Sequence, residues 1–178
     1  MREHAEPVHA ECEEIDKVNP VGELLRLDDI QLDAELPDKA RALRYIATLL
    51  ARRVGLPDSE VLDGLAAREQ LGSTGLGHGV AIPHARLVRC NAAAAVWVRP
   101  KAAVPFDAPD HKPVSIFLGL IVPKQAAEHH LQLLATAANM FSERIFRDKL
   151  KACSSPSAAR ELLAAWPDSP ASGSSADD

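Results

Sequence analysis

The chain has 178 residues, of which 47% are hydrophobic and 25% are charged, and this predicts one compact domain rather than a disordered chain. The formal net charge is -5, and nucleic-acid binding usually requires a clustered basic surface, so we expect no nucleic-acid partner. The N-terminus lacks the layout of a secretory signal, and the longest apolar run, Val114 to Val122, is shorter than the ~18 residues of a membrane span. We therefore expect a cytoplasmic protein without membrane insertion.

The two ends of the chain differ in composition from its middle. Residues 1–20 are rich in acidic and small residues without a sustained apolar period, and they are predicted to form a flexible extension. Residues 167–178, which include SPASGSSADD, are predicted to be a disordered tail. The folded domain is therefore assigned to residues 21–166.

The first elements of this domain are a strand and two helices. Alternating apolar and polar residues between Asp28 and Leu36 predict a short half-buried strand. Helical spacing follows over residues 38–54, with Asp38 as the N-cap and Gly55 as the stop. A second helix is predicted to begin at Pro57 and Asp58 and to run into a glycine-rich segment.

Strands and helices alternate in the second half as well. The apolar runs 93–98 and 114–122 predict buried strands, and residues 128–141 predict a helix. The stripe expected to face the core of that helix consists of Leu131, Leu134, Ala138 and Phe141. Two short helices are predicted around Leu150 and over 157–166. The fold class is therefore α/β, a single-domain layered sandwich with a central mixed β-sheet flanked by helices.

Four of the nine glycines fall within eight residues, at Gly72, Gly75, Gly77 and Gly79. Glycine permits a positive φ and close approach of a ligand, and the hydroxyls of Ser73 and Thr74 would add hydrogen-bond donors. We therefore predict that Ser73 and Thr74 bind a phosphate, with a purely structural glycine turn as the alternative. The segment has neither a Walker lysine nor a GxGxxG pattern, which disfavours nucleotide binding.

A short apolar strand from Val80 to His84 follows this turn, and it is predicted to end on His84, directly behind Pro83. Proline forces the preceding residue into an extended conformation, so it determines how His84 leaves the strand. The neighbours of His84 are small, which would leave its imidazole accessible to a large partner. A neutral imidazole can accept and return a phosphoryl group without a metal or a nucleotide.

The segment REQLGSTGLGHGVAIPH, residues 68–84, resembles the signature of the enzyme IIA proteins of the bacterial phosphotransferase system. The resemblance is to the fructose/mannitol (type 2) family and is strongest to its nitrogen-regulatory members. It continues through VPFD at 104–107, residues 110–113 and EHHLQLL at 128–134, and it covers about residues 25–165.

This resemblance implies roles for individual residues. His84 would be the phosphoryl acceptor through a tele-phosphohistidine intermediate, although the residues alone leave open which imidazole nitrogen reacts. The family's second active-site histidine maps to His130, with His129 as the alternative that could turn toward the site. Arg68 matches the arginine that handles the phosphoryl group, and a fork of guanidinium donors suits a phosphate.

Other candidate residues carry weaker signals. His78 is most simply a surface residue, and Asp107 and Asp110 lie in a proline-rich segment that predicts a turn between strands. No pair of histidines has the helical spacing of a zinc site, and the three cysteines form no CxxC pair. We therefore expect neither a metal nor a cofactor.

The family divides between sugar uptake and regulation. With no IIB or IIC segment in the sequence, the chain most resembles a nitrogen-regulatory phosphocarrier. This implies a histidine phosphocarrier protein of the HPr or NPr kind as donor, and regulatory targets such as potassium-transport proteins or sensor kinases. The alternatives are a sugar-specific IIA that passes phosphate to a separate fructose or mannitol IIB component, and an interaction module without phosphotransfer.

Overall fold

The computed structural model describes residues 19–167. The predicted extension and tail therefore lie outside the described residues, except at their inner ends. Asn19 and Pro20, which the sequence assigned to the extension, form the cap and first residue of a helix. Asn19 is buried, and its side-chain amide donates to the carbonyl oxygen of Leu163 at 2.8 Å, which joins the two ends of the domain.

The described part of the chain contains six α-helices, six strands and one short 3-10 helix, Leu27–Asp29. The helices are α1 (Pro20–Leu24), α2 (Lys39–Val54), α3 (Asp58–Gln70), α4 (Ala127–Ser142), α5 (Arg144–Ala152) and α6 (Pro156–Ala164). The strands are β1 (Ile30–Ala34), β2 (Gly75–Gly77), β3 (Val80–Ala81), β4 (His84–Leu87), β5 (Ala94–Pro100) and β6 (Ile116–Pro123). No helix within residues 19–167 is long and apolar enough to cross a membrane.

The strands form one mixed sheet, in the order β1-β5-β6-β3-β2, with β4 also paired to β6. The β5–β6 pair is antiparallel, whereas β3 and β4 both run parallel to β6. Val80 lies beside Ile116 and His84 beside Leu120, so β3 and β4 follow one edge of β6 in a constant register. The predicted mixed sheet flanked by helices is confirmed.

The sheet separates two hydrophobic cores, and β6 contributes to both because successive strand residues point to opposite faces. Phe117 and Ile121 of β6 belong to the core under α2 and α3. Leu118 and Leu120 belong to the opposite core, under α1, α4, α5 and α6. This double coverage explains why the strand reads as a continuous apolar run.

The predicted ends of α2 are confirmed. The carboxylate of Asp38 accepts the backbone N–H of Arg41 at 2.8 Å, and Gly55 ends the helix in the left-handed region with φ 71°. The stripe predicted for α4 is wrong in part, because Leu131 is 67% exposed and Ala138 is exposed. Phe141 is buried as predicted, and Leu133, Ala137 and Met140 face the core with it in place of Leu131 and Ala138. Both stripes have helical spacing, and only packing against the sheet selects between them.

Candidate functional site

His84 lies where the edge strand beside β6 is interrupted. The expectation that one strand runs from Val80 and ends on His84 is wrong, because β3 ends at Ala81 and His84 begins β4. The interruption falls at Ile82 and Pro83, and Pro83 has no N–H to donate. The N–H of Ile82 donates to the carbonyl oxygen of Thr74 at 3.0 Å, and its own carbonyl remains available to a side chain.

The two ring nitrogens of His84 have different partners. Nδ1 lies 2.7 Å from the carbonyl oxygen of Ile82, and Nε of Arg68 donates to Nε2 at 3.2 Å. A carbonyl oxygen only accepts and a guanidinium only donates, so both contacts require the hydrogen on Nδ1. Nε2 therefore holds the lone pair, and it is the ring nitrogen available as a nucleophile.

Arg68 reaches His84 because α3 packs closely on β4. Gly64 of α3 permits this approach, since a Cβ at that position would lie 2.6 Å from Cδ2 of Leu87. Arg68 stands in the last turn of α3, and its Nη1 donates to the carbonyl oxygen of Gly72 at 2.9 Å. The guanidinium is thus anchored at one nitrogen while another contacts the histidine.

His130 completes this cluster from the first turn of α4. Its ring centroid lies 5.2 Å from that of His84, with the two ring planes inclined by 53°. His130 lines the same cleft, whereas the side chain of His129 is exposed and does not line it. Of the two adjacent histidines, the fold therefore brings His130 toward His84.

We call the cavity around these residues the histidine cleft. Its volume is about 630 Å³, and its lining residues are Gly64, Ala67, Arg68, Leu71, His84, Ala85, Arg86, Ala127, His130, Leu131 and Leu134. Two arginines and no carboxylate line it, so an anion would meet positive charge. Leu71 and Leu131 are 85% and 67% exposed, so the cleft has an apolar rim on which another protein could pack.

The buried carboxylate of Glu69 stabilises the loop next to the histidine cleft. Glu69 is 7% exposed, and it accepts hydrogen bonds from the backbone N–H of Thr74 at 3.0 Å and from the Thr74 hydroxyl. The ammonium of Lys39 lies 2.9 Å from the other carboxylate oxygen as an ion pair. Because Glu69 holds the far end of the loop that contains Gly72, it stabilises the anchor of Arg68.

The hydroxyls of Ser73 and Thr74 have partners within the protein. The Ser73 hydroxyl donates to the carbonyl oxygen of Phe106 at 3.1 Å, and Thr74 is buried against Glu69. Neither residue lines the histidine cleft. Phosphate binding by Ser73 and Thr74 stays a prediction, and their contacts in this structure support the loop instead.

The glycine cluster builds a hairpin. β2 and β3 are antiparallel and are joined by the two-residue turn His78-Gly79, whose φ angles are 56° and 77°. Positive φ at both turn positions matches the twist of paired strands and suits glycine. Gly75 also lies close to Ala108, whose Cβ would be 2.7 Å from an added Cβ. These contacts account for two of the glycines without a ligand.

None of the remaining candidate residues lines the histidine cleft. His78 is in the hairpin turn, where its backbone N–H donates to the carboxylate of Asp110 at 2.8 Å. Asp107 is exposed and pairs with Lys39 at 3.3 Å. Among residues 19–167, no group of three or more His, Cys, Asp or Glu side chains is placed to hold a metal ion.

Burial lowers the pKa of His84 below 6.5, and the charge of Arg68 lowers it further, whereas the Ile82 hydrogen bond and the charge of Glu69 oppose the shift. For His130, burial together with the charges of His84, Arg86 and Arg68 lowers the pKa to about 4. Both rings are therefore neutral near pH 7, which keeps Nε2 of His84 nucleophilic.

The low pKa of His130 predicts a pH-dependent stability. The unfolded chain binds a proton at His130 near pH 6.5 and the folded chain only near pH 4, so this contribution is complete above 6.5 and is lost as the pH falls between these values. We expect the free energy of unfolding to fall less steeply over this range in His130→Gln than in the wild type, as measured by urea denaturation. A difference between the two proteins that is independent of pH would contradict this.

Glu69 is predicted to act as a positioning residue. Glu69→Gln removes a negative charge that raises the pKa of His84, so an NMR titration should show a lower His84 pKa in this variant. We also expect a loss of about 1–3 kcal/mol in stability, since the partner of Lys39 is removed. Glu60→Gln is the matched control on the same helix, where Glu60 pairs with Arg89. Equal His84 titrations in all three proteins would refute the role.

The sequence left some residues of this site unnoticed. Arg86 and Leu71 line the cleft, and Glu69 lies behind it, yet none of these three was singled out as functional. Glu69 offered one usable signal, because a carboxylate directly after a site arginine and beside a glycine-rich turn suggests an internal hydrogen-bond acceptor.

The fold and the site define a small mixed α/β domain that presents a neutral histidine, bonded to an arginine, at the edge of its sheet. The family described as "Phosphoenolpyruvate-dependent sugar phosphotransferase system, EIIA 2" matches residues 23–166. The chain belongs to this family, which confirms the resemblance inferred from the sequence motif.

Individual relatives point to the nitrogen-regulatory branch. The chain is 40% identical over 126 residues to the nitrogen regulatory protein of Pseudomonas aeruginosa, covering 70% of this chain and 82% of that one. The crystal structure of nitrogen regulatory protein IIA-Ntr from Neisseria meningitidis matches with a TM-score of 0.78 and 43% identity, covering 80% and 98% of the two chains. The fructose-specific EIIA component of Haloferax volcanii is 28% identical over 148 residues, covering 83% and 96%.

Proposed function

We propose that this chain is a regulatory phosphocarrier of a nitrogen-type phosphotransferase system, with His84 as its phosphoryl acceptor. The observation that carries the proposal is the arrangement of His84, whose Nε2 lone pair lies at a cleft lined by Arg68 and His130 and by no carboxylate. The similarity of the chain to two nitrogen regulatory proteins, at 40% and 43% identity, supports a regulatory function over sugar uptake. The cytoplasmic location stays a prediction.

The proposed reaction starts from a phosphohistidine on a carrier protein of the HPr or NPr kind. The Nε2 lone pair of His84 attacks phosphorus, the P–N bond of the donor breaks, and its electron pair returns to the donor imidazole. The ring of His84 gains positive charge as the new P–Nε2 bond forms. The hydrogen bond from Nδ1–H to Ile82 stabilises that charge, while Arg68 turns its donors to the phosphoryl oxygens.

The proposed regulation follows from the charge of the product. A phosphate on His84 adds close to two negative charges beside the apolar rim formed by Leu71 and Leu131. A target protein that packs on this rim would bind the two states differently, and each 1.4 kcal/mol of difference changes its affinity about tenfold. Potassium-transport proteins and sensor kinases are the target classes we propose.

The test is a reconstituted transfer reaction. Incubating the protein with labelled phosphoenolpyruvate, enzyme I and the carrier protein should produce an acid-labile, alkali-stable label. His129→Asn is a matched control, because His129 is exposed next to His130 and should not change the labelling. Absence of label in the wild type would reject the phosphocarrier function.

Sugar uptake is the second candidate, and the similarity to a fructose-specific EIIA component favours it. In that case the phosphorylated chain should pass its label to a fructose or mannitol IIB component. Retention of the label in the presence of such IIB components, combined with phosphorylation-dependent capture of a regulatory target, would favour regulation.

A further inference from the structure

A second concave site lies at the other end of α4 from the histidine cleft, and we call it the basic pocket. Its volume is about 510 Å³, and it is lined by His78, Gly79, Lys112, Pro113, Ser115, Arg144, Arg147, Asp148 and Lys151. It shares no residue with the histidine cleft. The N-terminal half of α4 lines the histidine cleft, and the helix, 16 residues and about 24 Å long, ends beside α5 of the basic pocket.

Three segments that are distant in the sequence meet at this pocket. The β2–β3 turn contributes His78, and the loop before β6 contributes Lys112. The third segment is one face of α5, where Arg144, Arg147 and Lys151 follow at intervals of three and four residues. The lining cations therefore come together only in the folded chain.

Arg147 gives the pocket a fixed donor. It is 7% exposed, and its Nη1 donates to the carbonyl oxygens of Phe141 and Ser142, at 2.7 Å and 2.8 Å, where α4 ends. Within residues 19–167, its Nε and Nη2 have no hydrogen-bond partner in the protein. The helix end thus orients the guanidinium while two of its nitrogens remain available to a ligand.

The positive charges of the pocket are only partly neutralised. Lys112, Arg147 and Lys151 have no ion pair with a carboxylate in the described part of the chain. Asp148 lies 3.6 Å from Arg144, and Asp110 accepts the backbone N–H groups of His78 and Lys112. Like charges around one cavity repel one another, and a bound anion would relieve that repulsion.

The basic pocket contrasts with the net charge of the chain. Residues 1–18 and 168–178 contain nine Asp and Glu against two Lys and Arg, which leaves 16 Asp and Glu against 18 Lys and Arg in residues 19–167. The net charge of -5 therefore arises outside the described domain. The negative net charge of the whole chain is therefore compatible with anion binding by the described domain.

We propose that the basic pocket binds a small phosphorylated metabolite with at least two anionic groups. The cavity lies in the size range of small-molecule sites and exceeds what one phosphate would fill. Two arginines supply planar forks suited to phosphate oxygens, and the two lysines supply point charges for a second anionic group. The proposal is independent of phosphoryl transfer at His84.

The test is an NMR titration of the whole chain with inorganic pyrophosphate at low ionic strength. We expect saturable amide shifts at Lys112, Ser115 and along α5, and at least a tenfold weaker affinity in the double variant Lys112→Ser/Lys151→Ser. Lys101→Ser/Lys124→Ser removes two exposed lysines elsewhere and should bind as the wild type does. Arg68→Ala should leave these shifts unchanged, because Arg68 lines the histidine cleft and not the basic pocket.

Three results would overturn the proposal. Shifts confined to the histidine cleft and lost in Arg68→Ala would assign pyrophosphate to His84. Equal affinity in the two double-lysine variants would show that the pocket does not bind it. If pyrophosphate does not bind to the basic pocket but a hexaglutamate peptide does, the ligand would be an acidic protein partner and not a metabolite. The labelling of His84 is measured separately in each variant, so a failure here is distinguishable from a failure of the proposed function.

Discussion

His84→Asn is expected to lower phosphoryl acceptance to background, a loss of at least about a thousandfold. The amide nitrogen of asparagine can replace Nδ1 as the donor to the carbonyl of Ile82, which contacts Nδ1 at 2.7 Å in the wild type. Asparagine has no counterpart of the Nε2 lone pair, so no bond to phosphorus can form. The measurement is the rate of labelling by a phosphorylated carrier protein, with the thermal midpoint recorded for each variant.

The variant His130→Asn distinguishes the role of His130 from that of His84. His130 lies beside His84, with ring centroids 5.2 Å apart, and we expect it to assist rather than to accept. Label should therefore still form in His130→Asn, at a reduced rate. Label that persists in His84→Asn would contradict the assignment of His84 as the acceptor. Label that disappears equally in both variants, with the fold intact, would contradict the merely assisting role of His130.

Arg68→Ala is expected to slow labelling by about 10²–10³, because it removes a charge-assisted donor directed at the transferring group. In this structure Nε of Arg68 donates to Nε2 of His84, the nitrogen that we propose attacks phosphorus. The hydrogen bond must therefore pass from the nucleophile to a phosphoryl oxygen as the reaction proceeds. We expect the slower labelling to appear as a lower kcat, with little change in the KM for the carrier protein. Arg68→Lys should recover part of the rate, since it keeps the charge but not the fork.

Arg86→Ala is the matched control for Arg68. Arg86 lines the same cleft but makes no hydrogen bond to His84 within residues 19–167, so its loss should slow labelling by less than about tenfold. Arg68→Ala should also raise the pKa of His84, because the charge of Arg68 lowers it. Similar losses in the two alanine variants, with the His84 titration unchanged, would rule out a specific role for Arg68.

Most of the architecture could be predicted from local patterns. Asp38 and Gly55 marked the ends of α2 because capping and a left-handed stop depend on neighbouring backbone groups alone. The apolar run before Pro123 predicted β6 because a strand covered on both faces needs no polar alternation. Leu131 was assigned to the core wrongly, since the helical period allows more than one apolar stripe.

The site was harder to predict because it depends on contacts between distant segments. Arg68 and His84 are 16 residues apart, and their hydrogen bond exists because Gly64 lets α3 lie against β4. Thr74 had a hydroxyl suited to phosphate, but the burial of Glu69 beside it gave that hydroxyl a protein partner. The local residue types could not reveal this competition for hydrogen bonds.

The sequence by itself determined the family, the mixed α/β sandwich and the histidine at the end of the signature, because motif, period and capping are encoded in adjacent residues. Only the tertiary structure decided that Nδ1 of His84 is committed to Ile82, that His130 rather than His129 faces the cleft, and that a basic pocket forms beyond α4. Each of these depends on which groups the packed sheet and helices bring within hydrogen-bonding or Coulombic range, and spacing along the chain does not contain that information.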